Sequence, residues 1–386
     1  MKILLYTDLT IPPDQLFWHR DLGLLTQAFR DLGHDALLVV HPTGDTSSKI
    51  KNPKSIIQND PVLWVSQQDV RNPIWWQSHK PDLVILGLWT RPKYDPVRRA
   101  ALSATPRVVE RADSDGMRTA SCGLLTYAKR RFDYFRDRTY RWPSLLSIHA
   151  SILYSFASIC ATPWIETRLA RTLKLLPAVA VETPHATVLW KSLATRLGVD
   201  PSKIHCVPHP IQTDIFKFDP AIQKKNQVIS VGRWESYQKN LPLLLKTLRA
   251  FFDKNPTWTS LVIGSGLPAK SPHPRIIFLS STAPNQLARH MQESKIFLFS
   301  SRYESFLMSG VEALSCGCAV VGPSEIPVLG NDPLPPKDSF GGSTFNLLAQ
   351  KTQNAAASRS FATSMAEADR PSSPRTIAQS IFLFCS

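Results

Sequence analysis

At 386 residues the chain exceeds what one hydrophobic core usually serves, so two domains are expected. An apolar share of 43% with 19% charged residues excludes a disordered chain, and no run reaches the roughly 18 apolar residues of a membrane span. The net charge of +15 favours anionic partners, yet the excess is spread over both halves with no basic tail of the kind that wraps nucleic acid.

Residues 3–6 form a short apolar run that stops at Asp8, which reads as a first strand and not as a signal peptide. A helical pattern follows through Leu22, Leu25, Phe29 and Leu32, and Gly33 marks its stop. Further apolar runs lie at 36–40, 62–65, 83–88, 108–109 and 178–181. Strand, helix, strand at this spacing predicts a parallel sheet covered on both faces. Cys122, Cys160, Cys206, Cys316, Cys318 and Cys385 show no paired metal-ligand spacing, which fits a reduced, cytoplasmic protein.

One stretch breaks the alternation. From Lys129 to Arg141, basic residues interleave with Phe132, Tyr134, Phe135 and Tyr140, and an apolar segment to Ala161 follows. Such a pairing can sit peripherally on an anionic membrane, at its inner face. The plainer reading is a buried helix with a solvated lead-in, since Ser144, Ser147, Ser151, Ser155 and Ser158 weaken insertion.

Residues 206–226, with Pro208, Pro210 and Pro220, read as a linker. Alternation then restarts. A run at 228–231 ends at Gly232 and a helix passes through Leu244, Leu248 and Phe251. A run at 261–263 ends at Gly264, and runs at 276–279 and 296–299 flank a helix through Leu287 and Met291. The last run is 319–321, and an apolar piece at 377–384 would close the domain as a helix. The expectation is an α/β protein: two Rossmann-like, doubly wound parallel-sheet domains, 1–205 and 227–386, with a ligand cleft at the strand C-termini.

The densest chemical signal lies at 301–317. Glu304 and Glu312 are separated by seven residues, with Ser305, Phe306, Leu307 and Met308 placed as a helix N-terminus whose amides and dipole favour an anion. Glu312 would sit two turns into that helix. Carboxylates for hydroxyls around a phosphate-binding helix tip suggest a sugar nucleotide. Arg233 and Lys239, after a buried strand and Gly232, can neutralise a diphosphate, Arg as a fork and Lys as a point charge.

The segment around Glu304 and Glu312 resembles the E-x7-E signature of glycosyltransferase family 4, whose fold is GT-B. Residues 228–240, with Gly232, Arg233, Lys239 and Asn240, resemble the same family's strand–Gly–Arg…Lys segment, although the Arg-to-Lys gap is one residue longer than usual. Gly264 resembles its next strand-to-glycine turn. Val207-Pro208-His209-Pro210 resembles its linker motif, with His209-Pro210 where Asn-Gly usually stands, which leaves the role of His209 open, structural being the plainer reading. In the first loop, Ile11-Pro12-Pro13-Asp14-Gln15 replaces the family's glycines. The resemblance implies a retaining hexosyltransferase that moves sugar from a nucleoside-diphosphate donor to a hydroxyl of a glycan or lipid-linked acceptor. It implies no bound metal and no cofactor beyond that co-substrate. By the same likeness, Arg233 and Lys239 stabilise the leaving diphosphate with the amides of Ser305, Phe306 and Leu307. Glu304 contacts the donor sugar, Glu312 holds the ribose, and Gly232 and Gly264 let backbone approach the nucleotide. Asp113, with Asp115 in reserve, orients or deprotonates the acceptor hydroxyl, unless the Asp-Ser-Asp-Gly run is only a turn; Glu182 touches the acceptor or caps.

Two other classes are separable. A sugar-nucleotide epimerase of the same fold would need no acceptor. A non-catalytic module for anionic polymers or membrane surfaces would show steep salt dependence and no nucleotide binding.

Overall fold

A computed structural model describes residues 1–8, 21–41 and 61–323. The expected first-loop segment at 11–15 and closing helix at 377–384 lie outside the described residues. The chain divides into two units. Among the described residues, the front unit holds those of Met1–Cys122 and Ala161–Gln212, and the rear unit holds Gly123–Cys160 and those from Thr213 onward.

The front unit is built on a parallel sheet of seven strands. These are β1 (Lys2–Thr7), β2 (Asp35–Val40), β3 (Val62–Trp64), β4 (Leu83–Gly87), β5 (Val108–Arg111), β6 (Ala178–Val181) and β7 (Ile204–Cys206), in the order β3-β2-β1-β4-β5-β6-β7. Alternate residues of β1 serve opposite cores. Leu4 and Tyr6 pack with Val84, Leu86 and Trp190, while Ile3 and Leu5 pack with Phe29, Leu83 and Ile85. Burial on both faces is why these strands read as unbroken apolar runs. Helix α1 (Asp21–Asp31) ends two residues before Gly33, whose φ of 84° lets the chain reverse into β2. Helices α2 (Pro73–His79) and α3 (Asp95–Leu102) follow in the order of the chain.

Two helices then leave the front unit. The expected boundary at residue 205 puts them in the front domain, but α4 (Leu124–Arg138) and α5 (Ser144–Cys160) group with the rear unit. The reason lies in α4. Asp137 accepts from Ser236 Oγ at 2.8 Å and from the Gln238 amide at 3.0 Å, and the Arg130 guanidinium lies 3.8 Å from the Tyr303 ring centroid. After the hairpin, α6 (Thr162–Leu175) and α7 (Pro184–Arg196) return to the front unit.

The rear sheet is also parallel. It comprises β8 (Lys225–Arg233), β9 (Thr259–Ser265), β10 (Ile276–Leu279), β11 (Ser294–Leu298) and β12 (Ala319–Val321), ordered β10-β9-β8-β11-β12. Helices α8 (Leu241–Lys254), α9 (Pro284–Glu293) and α10 (Met308–Ser315) supply its crossovers. Ile229, Ile263 and Phe297 face one core, and Val228, Val262 and Ile296 the other. Strand β8 thus brings Gly232 and Arg233 to the carboxyl edge of the sheet.

Candidate active site

At that edge Gly232 pairs in register with Gly264, and Arg233 with Ser265. A Cβ on Gly264 would fall 1.8 Å from the Gly232 carbonyl oxygen, and its φ is 140°, so only glycine permits this approach. Trp234 is buried, donating from Nε1 to the Ile263 carbonyl at 2.9 Å, which anchors the start of the 234–240 loop. Arg233 itself is exposed at the end of β8.

The loop is zipped to the segment after β11. Ser300 Oγ donates to the Lys239 carbonyl at 2.7 Å, and the Arg302 amide to the Gln238 carbonyl at 2.8 Å. Gln238 Nε2 donates to the Tyr303 carbonyl at 2.9 Å. These bonds set the side chains that follow them, and Lys239 Nζ donates to Glu304 Oε1 at 2.6 Å with both largely shielded from water. Two residues 65 apart in sequence therefore share one spot. The ammonium has three N–H donors and spends one here, so it can still meet phosphate oxygens.

The helix after Glu304 starts later than expected. Leu307 is its N-cap, at φ 60°, and α10 runs from Met308. Ser305, Phe306 and Leu307 thus form the lead-in, not the first turn. Glu312, buried, is the fifth residue of α10, so it sits about one turn in and not two.

A second constellation occupies the carboxyl edge of the front sheet. Asp113 follows β5 by two residues, Glu182 follows β6 directly, and His209 lies three beyond β7. His209 Nδ1 is 2.9 Å from Asp21 Oδ1, and its Nε2 lies 3.8 Å from Asp113 Oδ1 and 3.7 Å from Glu182 Oε1. Arg111 Nε is 3.2 Å from the same Asp21 oxygen. Burial opposes charge on His209, but Asp21 and Asp113 outweigh it and push the imidazole up to about 10. Burial pushes the Glu182 carboxyl up to about 7, against the pull of His209. Asp21 is also desolvated, yet His209 and Arg111 hold it below its ordinary range. Proton acceptors and donors are thus gathered at one point, with Asp113 Oδ2 receiving Trp89 Nε1 at 3.2 Å. The three ligand atoms of Asp113, Glu182 and His209 lie within 4.8 Å of one another, a grouping that could hold a metal ion.

The expected residues divide between the two edges. Arg233, Lys239, Glu304 and Glu312, with Gly232 and Gly264, belong to the rear edge; Asp113 belongs to the front one. Asp115 serves the turn, accepting from the Met117 amide at 3.1 Å, and Glu182 Oε2 caps the Ser114 amide at 3.0 Å. Sequence reasoning missed Asp21 and Arg111 and treated His209 as scaffold. Their positions just beyond strand ends or at the start of a crossover helix were the available signal.

Residues 225–328 match the family model for glycosyl transferases, group 1. The likeness drawn from the Glu304–Glu312 segment is borne out there. Over 205 residues the chain is 24% identical to a GDP-mannose:cellobiosyl-diphosphopolyprenol alpha-mannosyltransferase of Xanthomonas campestris, covering 50% of each protein. A protein of the same name from Xanthomonas oryzae is 24% identical over 203 residues, again 50% of each. The chain therefore spans about half the length of the curated relatives it matches. Among solved structures, Anabaena HepE in complex with UDP and glucose superposes with a TM-score of 0.59 at 15% identity, covering 99% of this chain and 98% of that one. A trehalose 6-phosphate synthase from Burkholderia multivorans gives 0.59 at 10% identity, covering 99% and 97%. The fold is of the GT-B type, as expected.

Proposed function

We propose that the chain is a retaining glycosyltransferase, moving a hexose from a nucleoside-diphosphate sugar to a hydroxyl of a glycan or lipid-linked acceptor. The observation that carries this is the joining of Lys239 and Glu304, with Arg233 at the next strand end, on the carboxyl edge of the rear sheet. Cations beside a carboxylate suit a donor whose diphosphate and sugar lie side by side. As the bond from the anomeric carbon to the diphosphate oxygen breaks, Arg233 and Lys239 offset the charge left on phosphate, so no metal is needed at that point. Glu304 accepts from a sugar hydroxyl, Glu312 from the ribose, and the backbone of Ser305, Phe306 and Leu307 faces phosphate. The acceptor oxygen bonds to the freed carbon on the face the diphosphate leaves, and its proton passes to the Asp113 carboxylate. Asp113 receives that hydroxyl's hydrogen bond, with Glu182 and His209 behind it.

The relatives' names support a lipid-linked acceptor and differ over the nucleotide: GDP-mannose in one set, UDP in the other. Contact of the Lys129–Arg141 stretch with an anionic membrane, on the cytoplasmic side, belongs to the same reading. No single helix among the described residues is long and apolar enough to cross a membrane. The test is transfer from UDP- and GDP-hexoses to a diphosphopolyprenol-linked saccharide in EDTA. A product of retained anomeric configuration supports the reading, and donor turnover that needs no acceptor would favour an epimerase instead.

A further inference from the structure

Helix α5 is inside out. Its buried residues are Ser147, Ser151, Ser155 and Ser158, while the apolar ones face solvent. Leu145, Leu146, Ile152, Leu153 and Phe156 recur at helical spacing along one side, and Leu145, Leu153 and Phe156 are 70%, 69% and 66% exposed. Trp142, also exposed, stands just before the first turn.

The serines explain how the helix holds this orientation. Small side chains let α4 approach closely, and their hydroxyls are satisfied within the hairpin. Ser155 Oγ donates to the Ala128 carbonyl at 2.9 Å, Ser151 Oγ to Ser147 O at 2.6 Å, and Thr139 and Ser147 share a 2.6 Å bond. A helix with polar residues inward and leucines outward has its sequence arranged for an apolar medium on the outer side. The surface charge says which. Of the hairpin's two carboxylates, Asp133 is buried against Lys129 at 2.7 Å and Asp137 is taken up by Ser236 and Gln238. Arg138 and Arg141 remain exposed between the helices. An apolar stripe with cations and no exposed carboxylate matches the interface of an anionic bilayer, where tryptophan also settles.

We propose that α5 docks this protein on anionic lipid, its axis along the membrane surface and its stripe of Leu145, Leu146, Ile152, Leu153 and Phe156 among the upper acyl chains. The inference deepens the membrane contact named above and moves its anchor from the basic stretch to the helix after it. The hairpin is tied to the donor edge: Asp137 holds the loop that ends in Lys239, and Arg130 stacks on Tyr303 beside Glu304. Docking α5 therefore fixes the rear unit's site at a set height above the lipid.

Vesicle sedimentation tests this without donor or acceptor, so its outcome is separate from that of the transfer reaction. The probes are phosphatidylcholine vesicles with and without about 30% phosphatidylglycerol. Wild type should bind the anionic vesicles and bind the neutral ones more weakly. L153E/F156E should lose about tenfold or more in partitioning, L153A/F156A should lose less, and R138E/R141E should lose the preference for anionic lipid. All the substituted side chains are exposed, and unchanged circular dichroism checks that the variants fold. Equal vesicle binding by wild type and L153E/F156E overturns the proposal. So does a wild type that ignores vesicles but sediments as a dimer that L153E/F156E converts to monomer, because the stripe is then a self-association surface.

Discussion

Lys239 shows how two readings of one side chain combine. Its 2.6 Å bond to Glu304 holds the ammonium in place, so on the proposed function the charge offered to a diphosphate is pre-positioned. Lys239→Ala removes that charge and leaves Glu304 shielded without its partner. Turnover should fall by roughly 10²–10³-fold, the range for losing one such donor, while circular dichroism stays unchanged. Lys239→Arg should restore little, since a planar fork does not replace a compact ammonium. At the front edge the prediction concerns protons. His209 rises from 6.5 to about 10 on folding and Glu182 from 4.5 to about 7, so the native state holds more protons than the unfolded chain between those values. The stabilising charge on His209 is fully present below about pH 6.5 and is lost as pH rises through about 10; the cost of ionising buried Glu182 appears from about 4.5 and is complete above about 7. The thermal midpoint should therefore decline from about pH 5 to 10. His209→Gln should flatten the upper part of that decline and Glu182→Gln the lower, as read by scanning calorimetry.

Among elements, the strands were the most legible, because burial on both faces leaves no alternation to misread. The run at 178–181 coincides with β6, buried throughout, and the runs at 276–279 and 319–321 coincide with the half-buried edge strands β10 and β12, where apolar content alone gave the strand. Gly33 was legible as a helix stop because its φ of 84° is one that other residues resist, whereas Gly264, read as a strand-to-glycine turn, lies inside β9 and is required by the close approach to Gly232. Gly264→Ala should cost more than the ~1 kcal/mol of an ordinary glycine replacement, since its Cβ meets the Gly232 carbonyl and cannot be moved aside as a side chain can. Urea denaturation would measure it. Helix α5 was misread. Apolar periodicity reports that a face is apolar but not that protein covers it, and the serines that seemed to argue against a membrane are the packed side. Ser151→Leu should therefore destabilise the α4–α5 hairpin by about 1–3 kcal/mol through overpacking, visible as a lower melting temperature. The start of α10 was also misplaced, because the cap-forming Ser305 stands two residues before the true N-cap, apolar Leu307, which enters the helix through a left-handed φ of 60°.

At the scale of the whole molecule, two parallel sheets each present chemistry at their carboxyl edges, and the two edges differ in kind. The rear edge carries Arg233 and Lys239 beside the Glu304 carboxylate, which the proposed function assigns to an anionic donor; the front edge gathers Asp21, Asp113, Glu182, Arg111 and His209, which it assigns to the acceptor's proton. The rear edge was legible because it is built from two short segments, 232–239 and 304–312, each of which follows a strand run and carries its own charged residues, although Lys239 and Glu304 are 65 residues apart. The front edge was not, since Asp21 and His209 are 188 residues apart and only the sheet brings them together. The most direct test of the account is calorimetric titration of UDP and GDP into wild type, Lys239→Ala and Asp113→Asn. One nucleoside diphosphate should bind wild type and Asp113→Asn alike and Lys239→Ala at least about tenfold more weakly, a difference of about 1.4 kcal/mol. Failure of both nucleotides to bind wild type, or equal binding to Lys239→Ala, would contradict it.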